Sequence, residues 1–245
     1  MNTMVGQLKL ETKLWLRQKE TVFWTLAFPV FFMLLFGSIW KENTWNNMPA
    51  ISYLLPGIIV MALMTTCIVA TTTGLVEERE KGIFRRLSLT PLKRHTIIGG
   101  QIAQRYLVVL LQTALLITIA VSFFEASISG DFLLFWAILT LGAVCFLSIG
   151  FALTGLIRSA KSAHPLAMIV FFILMFLGGC FFPLDVMPEF LVPVCKTLPS
   201  AQLNESLRLV ATGGAGLGEV WQALLIVSGW LVGCSALAVR FFKWE

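Results

Sequence analysis

Residues 51–75 read ISYLLPGIIVMALMTTCIVATTTGL, 25 residues without a charged side chain, and residues 76–91 read VEEREKGIFRRLSLTP, with seven charges in sixteen positions. The junction between these two stretches decides the fold. A helix rises 1.5 Å per residue, so the first stretch crosses a hydrocarbon core of about 30 Å with residues to spare. It is apolar on every face, whereas a strand of a transmembrane barrel alternates polar and apolar over about ten residues. The second stretch then lies in water just beyond the membrane.

Five more charge-free windows flank this one, at 21–40, 106–124, 132–157, 162–184 and 220–239, none shorter than 19 residues. The composition agrees. Of 245 residues, 58% are apolar and 13% charged, where a soluble domain has roughly 45–50% and 25%. Twenty Phe and eight Trp against two Tyr suit lipid-facing helices with indole anchors near the interfaces. The expected fold is an all-α polytopic membrane protein with six transmembrane helices, read as a single domain over 1–245. The longest gaps, 76–105 and 185–219, are too short to fold as independent domains, so any soluble machinery is expected on another chain. An N-terminal signal peptide fits poorly. The first apolar run is 20 residues where a signal core has about 7–15, and no A-x-A-like site follows.

Lys and Arg set the expected orientation. One side carries Lys9, Lys13, Arg17 and Lys19, the seven basic residues between Arg79 and Arg105, then Arg158, Lys161, Arg240 and Lys243; the other carries Lys41, Lys196 and Arg208. Fifteen against three puts both termini in the cytoplasm by the positive-inside rule. The net charge of +5 is then a topology signal. Nucleic-acid binding would need a basic face on a folded domain, and the sequence has none.

Residues 1–20 read as an amphipathic helix lying on the membrane surface. Val5, Leu8, Trp15 and Leu16 fall near one side, and Lys9, Lys13 and Arg17 repeat every four residues on another. The plainer alternative is a topology-setting flank. In 77–91 acids lead and bases follow, which suits a helix dipole. Ile83, Phe84 and Leu87 form an apolar ridge, and Pro91 ends the element. That makes a short amphipathic helix with charge and ridge together, a docking surface for a soluble partner. The 185–219 loop, on the outer side by the charge count, mixes short apolar pieces with Pro188, Pro193 and Pro199. Re-entrant or interfacial helices are expected there, since irregular backbone at membrane depth needs protein or a watery cavity around it.

The chemistry that is missing narrows the function. No window contains an Asp, Glu, Lys, Arg or His except His164 at the flank of the fifth, whereas ion-driven carriers usually hold such a group inside the membrane. No Walker A motif, H-E-x-x-H or triad pattern is visible, so no catalytic, cofactor or metal site is expected. Five scattered cysteines make no framework, although a Cys180–Cys195 bridge is conceivable. Thr65, Thr66, Thr71, Thr72 and Thr73 are the polar cluster of the second window; they either line a cavity or back-bond to their own helix. Asn204-Glu205-Ser206 fits the glycosylation tripeptide, a pattern that also arises by chance.

Together these features resemble the membrane permease subunits of type-2 ATP-binding-cassette exporters, the group that includes daunorubicin-resistance permeases. The resemblance covers nearly the whole chain. It rests on the N-terminal helix, six spans, Tyr53-Leu54-Leu55-Pro56-Gly57, the outer loop with Asn204-Glu205 and Leu207-Arg208, and above all Glu78-Arg79-Glu80-Lys81-Gly82…Arg86-Leu87…Thr90-Pro91. The resemblance implies a coupling region over 77–91 that receives the motion of a cytoplasmic ATPase subunit, with Glu77, Glu78, Arg79, Glu80, Gly82, Phe84, Arg85, Arg86, Leu87 and Pro91 at the interface. It also implies pairing with a second copy or a sister permease, no cofactor, and a place in the cell membrane, bacterial inner membrane included. The cargo would be an amphiphile such as a drug, antibiotic, peptide or lipid, or a polysaccharide in one branch. An ion-driven secondary carrier and a non-transporting membrane scaffold are the competing readings.

Overall fold

The structure, a computed structural model, describes residues 2–40, 44–45, 48–88, 94–124, 126, 130–181 and 188–241. Among them are α1 (Asn2–Arg17), α2 (Lys19–Ile39), α3 (Ala50–Met64), α4 (Thr71–Glu80), α5 (Ile83–Ser88) and α6 (Arg94–Phe124). These are followed by α7 (Phe132–Leu156), α8 (Ala160–Leu177), α9 (Val192–Thr197), α10 (Pro199–Gly213) and α11 (Leu217–Phe241). A two-residue ladder pairs β1 (Thr44–Trp45) with β2 (Met48–Pro49) between α2 and α3. Six helices are long and apolar enough to cross a membrane, so the chain is an all-α multi-pass membrane protein. The Leu89–Pro91 end of the charged stretch, the side chain of Leu87 and the start of the outer loop, 182–187, lie outside what the structure describes.

The second crossing is one continuous rod, α3 and α4 joined by a π-helical turn at Thr65–Ala70. It is the axis of the bundle: 89% of its apolar window is buried, against 11% for α11. Its neighbours are α2, α6, α7, α8 and α10. In lipid there is no hydrophobic drive between helices, so contact depends on van der Waals fit and on hydrogen bonds. The threonine cluster supplies the bonds in two ways. Thr65 and Thr73 return their hydroxyls to Met61 and Val69 at 2.9 and 2.8 Å. Thr71 donates to the Thr66 carbonyl in the π turn at 3.1 Å. Thr66 and Thr72 reach outward instead, to Gln112 Oε1 at 2.8 Å and the Gly150 carbonyl at 3.2 Å. Back-bonding alone therefore accounts for part of the cluster.

The rod is 31 residues long, and so is α6. At 1.5 Å per residue each spans about 46 Å, roughly 16 Å more than the hydrocarbon core. The last turns of α4 and the first turns of α6 therefore project past the membrane at the same end, where α1 and α5 join them. We call this the basic end. At the opposite end, α10 turns back into the bundle and packs on α3, α7, α8 and α11. Leu203 meets α7 at Gly142, ten residues from the start of α7. Asn204 is buried and donates to the Gly179 carbonyl at 2.8 Å, so the glycosylation-like tripeptide is a structural pin. All five cysteines are buried and none is in a disulfide, Cys180 and Cys195 included.

Two expectations change in detail. The 77–91 stretch is not one helix. α4 ends at Glu80, and the chain turns at Gly82, whose φ of +66° suits glycine, before α5 begins. The acidic half belongs to the rod and the basic half to α5. In α1 the inward face is Gln7, Leu8, Glu11, Thr12 and Trp15, while Val5 and Leu16 are 51% and 57% exposed. A mixed face turns inward because α6 offers Gly100, which lets Gln7 sit against its backbone, while Lys9, Lys13 and Arg17 stay exposed. The exposed Met4, Val5, Leu10, Leu14 and Leu16 are left to face the headgroup layer.

Candidate functional site

The basic end ties three parts of the chain to the last turns of the rod. The first link is between adjacent residues of opposite charge. Arg79 donates through Nη1 to the Thr154 carbonyl at 3.1 Å and through Nη2 to the Ile157 carbonyl. Glu80 accepts from the Ala160 backbone N–H at 3.2 Å. Thr154 and Ile157 are at the C-terminal end of α7, and Ala160 opens α8. A helix leaves carbonyls unpaired at its C-terminus and N–H groups at its N-terminus, with matching partial charges. The Arg-Glu pair therefore supplies a cation to the end of α7 and an anion to the start of α8, clamping the turn between them.

The second link is apolar. Phe84 of α5 is 3% exposed and packs with Leu75 and Phe151, with Ile98, Ile102 and Ala238 around them. Phe84 was expected on a ridge facing a partner, and it faces the bundle. What the α4–α5 elbow leaves exposed is polar: Glu77, Glu80, Lys81, Arg85 and Arg86. Lys81 pairs with Glu77 at 3.1 Å, and Arg86 donates to the Lys81 carbonyl at 2.7 Å.

The third link ties α1 to α4 and α6. Gln7 donates to Glu11 at 2.9 Å, and Gln101 donates to Glu78 at 2.7 Å. Arg105, one turn beyond Gln101, interacts electrostatically with both carboxylates. Burial raises the Glu11 pKa above the usual carboxylate range and the Glu78 charge adds to it; Arg105 and the Gln7 hydrogen bond offset part of the effect. Because the folded chain holds this proton more tightly than the unfolded chain, the stabilisation is complete below the ordinary carboxylate range. It is lost as pH rises through the raised value. Glu11→Gln removes that loss while keeping an acceptor for Gln7. Its melting temperature should match the parent in acid and exceed it by about 2 °C at pH 8, measured by thermal unfolding in detergent.

Beside the third link, a cavity of about 810 Å³ opens between α1, α2, the rod and α6. Two of its lining residues, Thr66 and Thr25, are bridged behind the wall by Gln112, 2% exposed, which accepts from Thr66 and donates to the Thr25 carbonyl at 2.7 Å. Glu11, Gln101, Gln104, Arg105 and Gln112 were not singled out in the sequence. The available signal was Gln101-x-x-Gln104-Arg105 on adjoining turns and a glutamine inside an otherwise apolar window. Among the described residues no cluster of ligands could hold a metal ion.

The fold defines a class, the polytopic all-α membrane proteins, and its likeness to known proteins narrows that class to transport permeases. Residues 7–211 match the family described as ABC-2 type transporter. YvfS of Bacillus subtilis (strain 168), named as a putative transport permease, is 28% identical over 239 residues, 95% of this chain and 94% of that one. The inner membrane transport permease YhhJ of Escherichia coli (strain K12) is 27% identical over 168 residues, 68% of this chain and 45% of its own. YbhR of the same organism, named as a probable multidrug ABC transporter permease, is 22% identical over 202 residues, 80% of this chain and 55% of its own. The chain spans about half the length of these two Escherichia coli relatives. It belongs to the ABC-2 type transporter family and is an ABC transporter permease, a component that works with an ABC ATPase subunit.

Proposed function

We propose that the chain is the transmembrane half of an ATP-driven exporter. It pairs with a second copy or a sister permease to enclose the path of an amphiphilic cargo, and a separate cytoplasmic subunit hydrolyses the ATP. Both termini and the basic end then face the cytoplasm, in keeping with the fifteen-to-three distribution of Lys and Arg. The observation that carries this reading is the elbow at Glu77–Arg86. Its outer side is charged and exposed, and its inner side is tied to α7, α8 and the rod through Arg79, Glu80 and Phe84. A partner pressing on that outer side moves three crossings together. A polysaccharide cargo would call for hydrogen-bonding walls along its length, whereas the groove between α2 and α6 is lined almost wholly by apolar side chains, Val22, Leu26, Val30 and Leu115 among them.

The test is co-expression with the ATPase subunit and purification through a tag on one of them. Arg85→Glu with Arg86→Glu reverses two exposed charges and gives up the Arg86 bond to the Lys81 carbonyl, so the permease itself should stay folded with its melting temperature lowered by only a few degrees. Copurified ATPase should fall about tenfold or more, as expected when charges meet like charges across an interface. Undiminished assembly together with undiminished cargo-stimulated ATP hydrolysis would overturn the docking assignment. Ion-gradient-driven transport by this chain alone in proteoliposomes would replace the whole reading with a secondary carrier.

A further inference from the structure

At the end of the bundle opposite the elbow, α10 carries Ser200, Asn204 and Arg208 four residues apart, a polar stripe along one face. Ser200 lies against Gly178, where a Cβ would be 2.6 Å from its hydroxyl oxygen. Asn204 donates to the Gly179 carbonyl. Arg208 donates to the Tyr53 hydroxyl at 2.9 Å, and its guanidinium carbon stands 3.8 Å from the centre of that ring. It also interacts electrostatically with Cys180. The stripe therefore runs along the chain leaving α8 and ends on the first turn of α3. This seam is under-bonded. Among the described residues Ser200 Oγ, Asn204 Oδ1 and Arg208 Nε are buried without a hydrogen-bond partner, as is Ser52 Oγ beside Tyr53. A buried polar atom left unpaired costs free energy that water would return.

The other face of α10 is apolar and fitted. Leu203 fills the space left by Gly142 of α7, and Leu207 beside it is buried. Gly130, just ahead of α7, lies so close to the Val210 carbonyl that no Cβ would fit. α10 thus belongs with α7. The segment leaving α8 belongs with α3, its Cys180 carbonyl packed over Gly57. α7 itself is fixed to the rod lower down. Gly150 leaves no room for a Cβ beside the Cys67 carbonyl, Thr72 donates to the Gly150 carbonyl, and Arg79 holds the carbonyls at the end of α7. Two bodies meet at the seam, α7 with α10 on one side and α3 with the α8 exit on the other.

We propose that the outer end opens along this seam, α10 leaving α3 and the α8 exit while staying on α7, and that cargo leaves through the gap. Each hydrogen bond given up across the seam is exchanged for one to water, and the unpaired atoms gain partners. Parting Leu203 from α7 would expose apolar surface with no such return. A push on the elbow reaches the end of α7 through Arg79. The close contact at Gly150 is where α7 pivots on the rod, so the movement emerges at α10. The inference rests on reading the protein as an exporter and adds where its outer exit lies.

Cys180 reports on the seam without any substitution: it is 1% exposed, and Cys145 inside α7 is 0% exposed. The full chain in lipid nanodiscs, without its ATPase, is treated with a charged methanethiosulfonate, and the rate at each cysteine is read by peptide mass spectrometry. Cys180 should react at least about tenfold faster than Cys145, because local opening is more frequent than loss of the core. Tyr53→Phe keeps the ring under Arg208 and removes the hydroxyl; it should speed Cys180 about fivefold and leave Cys145 unchanged. Ser200→Ala should slow Cys180 about threefold, since a methyl gains nothing from water. Equal rates at the two cysteines, or a Cys180 rate that neither variant moves, would overturn the proposal. A second arm adds the ATPase and traps it with orthovanadate, which should raise the Cys180 rate at least about tenfold further. If the complex hydrolyses ATP yet trapping leaves that rate unchanged, the seam is not the exit. A complex that does not assemble counts against docking at the elbow, and the first arm still decides the seam.

Discussion

Replacing Gly57 with valine will leave little folded protein in the membrane, although the change adds only an aliphatic side chain to an apolar helix. Gly57 follows Pro56 in α3, and the chain leaving α8 crosses directly over it. A Cβ built on Gly57 would lie 1.8 Å from the Cys180 carbonyl oxygen and 2.7 Å from its carbon. Both atoms are backbone, so no rotamer change relieves the overlap. The crossing segment has little freedom to retreat. Asn204 holds the Gly179 carbonyl, and Phe181 packs on Phe32 and Phe36 with ring centroids 5.7 and 5.0 Å apart. Overpacking of a fitted core costs about 1–3 kcal/mol even where side chains can move, and here the strain falls on backbone, so about 3 kcal/mol or more is expected. Gly57→Ala should already lower the yield of monodisperse protein, and Gly57→Val should nearly abolish it. Gly233→Ala in α11, where a Cβ meets nothing within 4 Å, should behave as the parent. Size-exclusion profiles of the three variants from equal membranes check this. Equal yields would show that the α8 exit does not rest on α3 as described.

The contrast between these glycines also shows what the sequence could and could not convey. The spans were legible because membrane insertion imposes a one-dimensional rule: about twenty apolar residues in a row. The rod of Ala50–Glu80 is readable from 51–75 for that reason. Gly57 and Gly233 are indistinguishable by that rule, since both are small residues in apolar helices. Only the fold shows that one is crossed by another chain segment and the other faces open space. The same holds at the basic end. Charge and periodicity marked 77–91 as the unusual stretch, yet they could not say that Phe84 turns inward and packs on its own bundle. Whether an amphipathic helix covers its apolar side with its own protein or with a partner is a tertiary question. The cavity was hidden for a related reason. Glu11, Glu78 and Arg105 stand 67 and 27 residues apart along the chain, and nothing local announces that α1, α4 and α6 converge. A glutamine inside an apolar window was the nearest clue, since Gln112 needs two partners to be tolerated there and finds them on α2 and the rod.

Exchanging two adjacent side chains, Arg79→Glu with Glu80→Arg, should cripple the transporter while leaving its composition and net charge untouched. The positive-inside balance is preserved, so topology should not change. Of the exposed charges that a partner could meet, only the one at position 80 changes sign. What reverses is the match to the helix ends. The carboxylate introduced by Arg79→Glu would face the Thr154 and Ile157 carbonyls, which are already the negative end of α7. The guanidinium introduced by Glu80→Arg would point a cation at the Ala160 N–H, the positive end of α8. Hydrogen bonds to a charged group contribute about 1.5–3 kcal/mol, and a donor replaced by an acceptor turns attraction into repulsion. Glu80 is exposed, so solvent weakens its share; most of a loss of about 3 kcal/mol comes from half-buried Arg79. Arg79→Gln, which keeps donors without the charge, should lose less than half of that. The expected outcome for the exchange is a melting temperature several degrees lower in detergent. In the reconstituted complex, ATP hydrolysis should continue but no longer respond to cargo, because the elbow can still meet the ATPase yet cannot carry α7 and α8 with it. If the exchanged protein keeps both its stability and its cargo-stimulated hydrolysis, the clamp is incidental, and force must reach the crossings through Phe84 and the α1–α6 contact instead.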